Sequence, residues 1–218
     1  MDPKTRYQRE RSDGKQQRAL EIAVAAETIF GRKGIEKTTM QDIAKEANIG
    51  IATLFRYYPK KEKLVVTVAV RRTETVLEAF REIAALPETS LEKIERLMDY
   101  FITQMSDADN PSIKFMEDFE SFAAHSPEPL EDMESFNEIY RAVSREFAKI
   151  VREGIADCSI RADLPIADAL TTVINVFGIF SRKLSLQNNI LTFFSDLESE
   201  RQLAILKKIM LDYLRSEA

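Results

Sequence analysis

The chain has 218 residues, 44% of them hydrophobic and 31% charged, with six glycines, seven prolines and no tryptophan. That makeup excludes disorder of the whole chain and fits a globular protein rich in helix formers, long enough for one large domain or a small one joined to a larger. A single cysteine, Cys158, excludes an internal disulfide and a cysteine-based zinc site. The polar first residues lack the apolar run of a signal peptide, and no later stretch approaches the roughly 18 residues of a membrane span, so a cytoplasmic location is expected. The net charge of −5 is unevenly spread: residues 1–64 hold 14 Lys/Arg against 9 Asp/Glu, net +5, and the remainder 17 against 27, net −10. A basic end on an otherwise acidic protein is what a phosphate-binding footprint would produce.

In chain order, residues 1–14 set Lys4, Arg6, Arg9 and Arg11 among polar residues, end in Asp13-Gly14, and read as a flexible basic arm. Its charges either keep the arm soluble or let it reach a minor groove. From Gln16, Leu20, Ile22, Ala23, Ala26, Ile29 and Phe30 recur at helical spacing, and the helix should stop at Gly34 after the basic pair Arg32-Lys33. Thr39, with Asp42 three residues on, predicts a capped second helix whose stripe is Ile43, Ala44 and Ala47. Asn48 then stands where a tight turn requires positive φ, and Ile49 should plug between two helices. A third short helix runs from Gly50 to about Tyr57, with Ile51, Thr53, Phe55 and Arg56 largely outward and Leu54 and Tyr58 inward.

Pro59 ends that helix, and a long fourth helix begins at Lys61 and runs to about Ala85. Beyond Pro87 the signals predict helices over about 90–106, 111–124, 127–154, 164–187 and 196–216, with Ser90 as a cap, Pro111 in a first turn, Ser126-Pro127 as cap and first position, and Gly154 as a stop. No run alternates with period two. The expected fold is all-α, with about nine helices in three parts: the arm over 1–14, a helix-turn-helix DNA-binding domain over 15–62, and a helical ligand-binding and dimerisation domain over 63–218.

Two short helices about a tight turn are the geometry that drops a helix into a major groove about 12 Å wide. The residues carry the case further. From Ala23 to Leu64, AVAAETIFGRKGIEKTTMQDIAKEANIGIATLFRYYPKKEKL resembles the TetR family of bacterial transcriptional regulators. The matching elements are the Ala-rich helix ending in Phe30, Gly34, Thr38-Thr39, Asp42-Ile43-Ala44, Ala47 and the TLFRYYPKKEKL block, about a fifth of the chain.

That resemblance implies an omega-shaped homodimer whose last two helices form a four-helix interface, with a ligand cavity in each C-terminal domain. It also implies the DNA-contacting set. Gly50 opens the recognition helix, Ile51 and Ala52 stand where base edges are read, and Thr53 and Phe55 stand where hydroxyls usually touch phosphates or bases. Arg56, Tyr57 and Lys61 stand at backbone-contacting positions, and Thr39 and Gln41 complete the footprint. Arg56 has the alternative of ordinary solvation, and Tyr57 that of packing. This chain departs from the family pattern at Asn48 (for glycine), Gly50 (for a hydroxyl cap) and Phe55 (for tyrosine), so base reading is expected to lean on thymine methyl contacts and A·T pairs.

For the effector, Phe101, Met105, Phe115, Phe119, Phe122, Phe136, Tyr140, Asn175 and Phe177 are the candidate lining residues, matched to a small apolar or aromatic molecule, with Tyr140 or Asn175 as polar anchors. The alternative is that most of them fill a helical core. His125, the only histidine, lies among acids spaced across several helix faces, which favours a solvated surface over a metal site. One histidine and no phosphate-cradling glycine loop leave no catalytic set to propose and imply no cofactor. Apolar stripes at Leu170, Val173, Ile174, Phe177 and Phe180 and at Leu203, Leu206, Ile209, Met210 and Leu214 suit a two-fold bundle. A rival from another class is a helical interaction module whose helix-turn-helix no longer reads DNA, motivated by the apolar Ile51, Ala52 and Phe55.

Overall fold

The computed structural model describes residues 3–106, 110–187 and 199–216. These form nine α-helices: α1 Pro3–Lys33, α2 Met40–Glu46, α3 Ile51–Tyr57, α4 Lys61–Ala84, α5 Ser90–Ser106, α6 Pro111–His125, α7 Met133–Ala156, α8 Ile166–Gln187 and α9 Ser199–Leu214. Among the described residues the one β-pairing is an isolated antiparallel bridge between Ile160 and Arg215. No helix among them is long and apolar enough to cross a membrane.

Two compact units divide the chain: residues 1–72 with 111–136, and 73–110 with 137–218. The grouping differs from a simple break near residue 62, because α6 packs within the first unit. Its partner there is α1. Phe115 of α6 lies 5.7 Å from Phe30 of α1, ring centre to ring centre, and 6.1 Å from Phe119. Gly31 permits the approach: a Cβ there would stand 2.3 Å from the Pro111 carbonyl oxygen, so only glycine fits.

The first unit's core is the buried stripe of α1 (Ile22, Ala26, Ile29, Phe30) closed by Ile43, Leu54, Leu64, Val68, Phe115 and Phe119. Glu27, 6% exposed, is the buried charge in that stripe. Arg71 reaches it at 2.5 Å, Arg72 at 3.4 Å, and the Ser112 hydroxyl also donates to it. A carboxylate at this depth requires paired cations and hydrogen bonds, and these bind α1, α4 and α6 together.

The second unit's core takes Leu77 and Phe80 from α4, Ile94 and Leu97 from α5, Phe147, Ile150 and Val151 from α7, Val173 and Phe177 from α8, and Leu203, Met210 and Leu214 from α9. Lys207 of α9 bridges to Glu95 at 3.1 Å and Asp99 at 2.7 Å on α5.

Several local expectations are corrected. The segment over 3–14 continues α1 as helix rather than forming a flexible arm; its Lys, Arg, Gln and Glu residues are good helix formers that outweigh Gly14. The cap of α5 is Thr89, not Ser90: Thr89 N–H donates to Glu92 at 2.8 Å and its hydroxyl accepts from Glu92 N–H at 3.4 Å. Helix α7 starts at Met133 rather than 127, since Pro129 disfavours helical backbone at Glu128. Gly154 does not stop α7, which runs on to Ala156; a Cβ there would meet Ile160 Cδ1 at 2.4 Å and Ser90 Cβ at 2.8 Å. Residues 196–198 of the last predicted helix lie outside the described residues.

Candidate nucleic-acid interface

The first unit holds α2 and α3 against α1 through three local devices. Gly34, at φ 82°, ends α1, and its N–H donates to the Phe30 carbonyl at 2.7 Å. Thr39 caps α2: its hydroxyl accepts from Asp42 N–H at 3.2 Å, while Asp42 accepts from Thr39 N–H at 3.0 Å. Lys33 adds a contact of 2.6 Å to the same carboxylate. The Lys33 ammonium and the Thr39 donors hold the Asp42 carboxyl far below the usual carboxylate range.

The turn after α2 is the third device. Asn48 sits at φ 51°. Its N–H donates to the Lys45 carbonyl at 3.1 Å and that of Ile49 to Ala44 at 2.9 Å, the paired bonds of a Schellman ending with asparagine in the left-handed position. Ile49 is half-buried and packs on the core, so the turn fixes the angle at which α3 leaves. Gly50 opens α3 with no side-chain cap.

Across α3, Leu54 and Tyr58 are buried, Ile51, Thr53 and Tyr57 half-buried, and Ala52, Phe55 and Arg56 exposed. Phe55 keeps 47% of its surface in solvent, which leaves an apolar ring on the outer face of α3. The Arg56 guanidinium stands 5.7 Å from the Tyr57 ring centre, and Tyr57 itself packs on the core. The Tyr58 hydroxyl donates to the Ala19 carbonyl at 3.2 Å, and burial pushes its pKa up. Thr39 and Gln41 are exposed at the start of α2.

Lys61, expected at a phosphate, makes contacts within the unit. Its ammonium donates to three main-chain carbonyls, Ile35 at 2.9 Å, Glu36 at 3.2 Å and Thr38 at 3.2 Å. Three donors meet three acceptors, so Lys61 fastens the α1–α2 connection.

The residues expected to line one effector pocket are divided between two cores. Phe115, Phe119, Phe122 and Phe136 belong to the first unit, where the Phe119 and Phe136 rings meet edge to face at 5.0 Å. Phe101 and Phe177 belong to the second, with Phe80 6.0 Å from Phe101. Tyr140 is 44% exposed and Asn175 is exposed. The Met105 side chain lies outside the described residues. A groove of about 720 Å³ in the second unit is lined by Glu74, Leu77, Glu78 and Arg81 of α4 and Glu138, Ile139, Arg141, Ala142 and Arg145 of α7, none of them an expected lining residue. Among the described residues no group of three His, Cys, Asp or Glu side chains is placed to hold a metal ion; the His125 Nδ1 lies 2.7 Å from the Ser121 carbonyl. Sequence reasoning passed over Glu27, whose signal was a lone carboxylate inside an Ala-rich apolar stripe.

Fold and site together define a helix-turn-helix domain joined to a larger helical unit. Residues 22–68, about a fifth of the chain, match the family model of bacterial regulatory proteins of the tetR family. An HTH-type transcriptional regulator of Staphylococcus aureus (strain USA300) is 30% identical over 92 residues, which cover 42% of this chain and 49% of that protein, so the chain matches about half the length of this curated relative. A TetR-family transcriptional regulator from Agrobacterium tumefaciens superposes with a TM-score of 0.73 at 16% identity, covering 93% of this chain and 100% of the other. The transcriptional regulator FadR from Bacillus subtilis, solved in complex with stearoyl-CoA, gives 0.70 at 16% identity, covering 90% and 99%. At such identities the two structures share the fold.

Proposed function

We propose that the chain is a sequence-specific DNA-binding transcriptional regulator, a homodimer on a palindromic operator that a ligand releases. The observation that carries this reading is the outer face of α3: Ala52, Phe55 and Arg56 stand in solvent on a helix whose exit angle is set by the Asn48 turn. Apolar Ala52 and Phe55 suit thymine methyls, and Arg56 suits a phosphate or a guanine edge. One seven-residue helix reads too few base pairs for useful specificity, whereas two related by a dyad reach successive grooves about 34 Å apart.

Support for the dimer comes from α8 and α9, where Val176, Ile179, Ile205, Ile209 and Tyr213 are all exposed, Ile179 to 70%. Such a face on a lone chain would be an aggregation liability. For release, an effector that binds the DNA-incompetent state about 100-fold better shifts the equilibrium by about 2.7 kcal/mol at saturation. A small apolar or aromatic molecule is the effector class this reading assigns to the second unit, whose core holds Phe80, Phe101, Phe147 and Phe177. The likeness to a regulator solved with stearoyl-CoA adds the acyl class to the molecules worth testing.

Selection of duplexes from a random-sequence pool by the purified chain tests the reading. The expected product is a two-fold symmetric sequence with A·T pairs within each half-site and half-sites about one helical turn, or a multiple of it, apart. Failure to enrich any sequence would overturn it, and capture of a protein partner by the same preparation would then favour an interaction module.

A further inference from the structure

Helix α1 extends well beyond the domain it serves. Its packed stripe starts at Ala19 and Ile22, while Ser12 through Arg18 are all exposed and Gly14 has no atom within 4 Å of where a Cβ would stand. The overhang nevertheless keeps a pattern. At about 100° per residue, positions 4, 8, 11, 15 and 18 fall in one stripe about 80° wide, and that stripe continues directly into positions 22, 26 and 29. On the core side the stripe is Ile22, Ala26 and Ile29, all buried; on the overhang it is Lys4, Gln8, Arg11, Lys15 and Arg18. The two acids of the segment over 3–18, Glu10 and Asp13, fall away from it. One face of a single helix therefore changes from apolar to cationic where the core beneath it ends.

The place of that change is defined by the Tyr58 hydroxyl on the Ala19 carbonyl at 3.2 Å. Tyr58 is the C-cap of α3, so the overhang leaves the domain beside the end of the helix assigned to the groove. Arg18 to Lys4 spans about 21 Å of helix, against a duplex that carries one negative charge per about 1.7 Å of its axis. Charges that served only solubility would have no reason to line up with the packing face. The Arg18 contact with Glu21, 2.9 Å between half-exposed side chains, is a surface pair that competes weakly with a phosphate.

Resting on the DNA-binding reading above, we propose that the α1 overhang is a second DNA-contacting element, which lays Lys4, Arg11, Lys15 and Arg18 along the phosphate backbone beside the groove entered by α3. The occupant is duplex DNA, and the contact is independent of sequence.

The test uses the full chain and a duplex it selects from a random pool, with Kd measured by fluorescence anisotropy from 50 to 300 mM salt. Two charge-matched variants are compared: Arg11→Gln/Lys15→Gln on the stripe and Arg6→Gln/Arg9→Gln off it. Glutamine keeps the helix propensity of the residues replaced, and Lys15 is exposed. The stripe pair is expected to flatten the slope of log K against log salt by about 1.8 per bound protomer and to weaken binding about tenfold at moderate salt. The off-stripe pair is expected to change Kd by less than about twofold, as general charge reduction requires. Equal effects from the two pairs, or none from the stripe pair, would overturn the proposal while leaving DNA binding intact. Failure of the unaltered chain to select any duplex would overturn both.

Discussion

Replacing Lys61 with methionine separates two roles for one residue. The methionine keeps most of the alkyl stem and removes the ammonium that holds the Ile35, Glu36 and Thr38 carbonyls at 2.9, 3.2 and 3.2 Å. The Glu36 contact is exposed and its carbonyl would rehydrate; those of Ile35 and Thr38 are part-buried. A hydrogen bond to a charged group contributes about 1.5–3 kcal/mol, and three acceptors on one donor are not additive. The expected loss is about 2–3 kcal/mol from the first unit, a fall in its thermal midpoint of roughly ten degrees. Urea unfolding followed by far-UV circular dichroism measures it, and amide hydrogen exchange over residues 35–39 localises it. A lysine held in reserve for a phosphate would behave oppositely: stability unchanged and the salt slope of DNA binding flatter by about 0.9. Stability within about 0.5 kcal/mol of the unaltered chain would refute the carbonyl-fastening role.

Three further perturbations bear on the turn, the cap and the second unit. Asn48→Gly should leave stability equal or raise it by up to about 1 kcal/mol, and Asn48→Val should lower it by about 1–2 kcal/mol, because φ is 51° there and only the β-branched residue clashes; denaturation midpoints of the two variants decide it. The folded-state pKa of Asp42 is depressed, so its stabilisation is present above the ordinary carboxylate pKa near 4 and is lost as pH falls below that value towards the folded one. Asp42→Asn should therefore lower the melting temperature at pH 7 and lose part of the decline seen below pH 4; an unchanged acid profile would contradict the capping geometry. Gly154→Ala should destabilise the second unit by about 1–3 kcal/mol, since the added methyl overlaps Ile160 and Ser90, and calorimetry of the intact chain would show it.

The helix-turn-helix was legible because its signals are local. Thr39 with Asp42 marks a capped start whatever lies around it, and Asn48 marks a positive φ. The contacts of Lys61 could not be read because its partners are main-chain carbonyls more than twenty positions earlier, which carry no side-chain signature. The division of the candidate effector residues between two cores was hidden for a related reason: the density of aromatics over 101–147 shows that cores exist but not how many. Phe30 of α1 and Phe115 of α6 meet across 85 positions, and that pairing draws α6 into the first unit. At the N-terminus Asp13-Gly14 resembles a turn, and helix propensity alone hardly distinguishes an arm from an overhanging helix. The register that ties Lys4, Arg11, Lys15 and Arg18 to the buried face of α1 was present in the sequence, and becomes readable once the helix is known to continue back to Pro3.

The most direct measurement of the central claim is the affinity of an Ala52→Glu variant for the duplex selected by the unaltered chain. Ala52 is exposed in the first turn of α3, on its outer face, so the carboxylate should leave the melting temperature within about a degree. If that face enters the groove, it brings a negative charge against bases and phosphates, and affinity is expected to fall at least 100-fold. Unchanged affinity in a folded variant would contradict the account and place the DNA-reading surface somewhere other than α3.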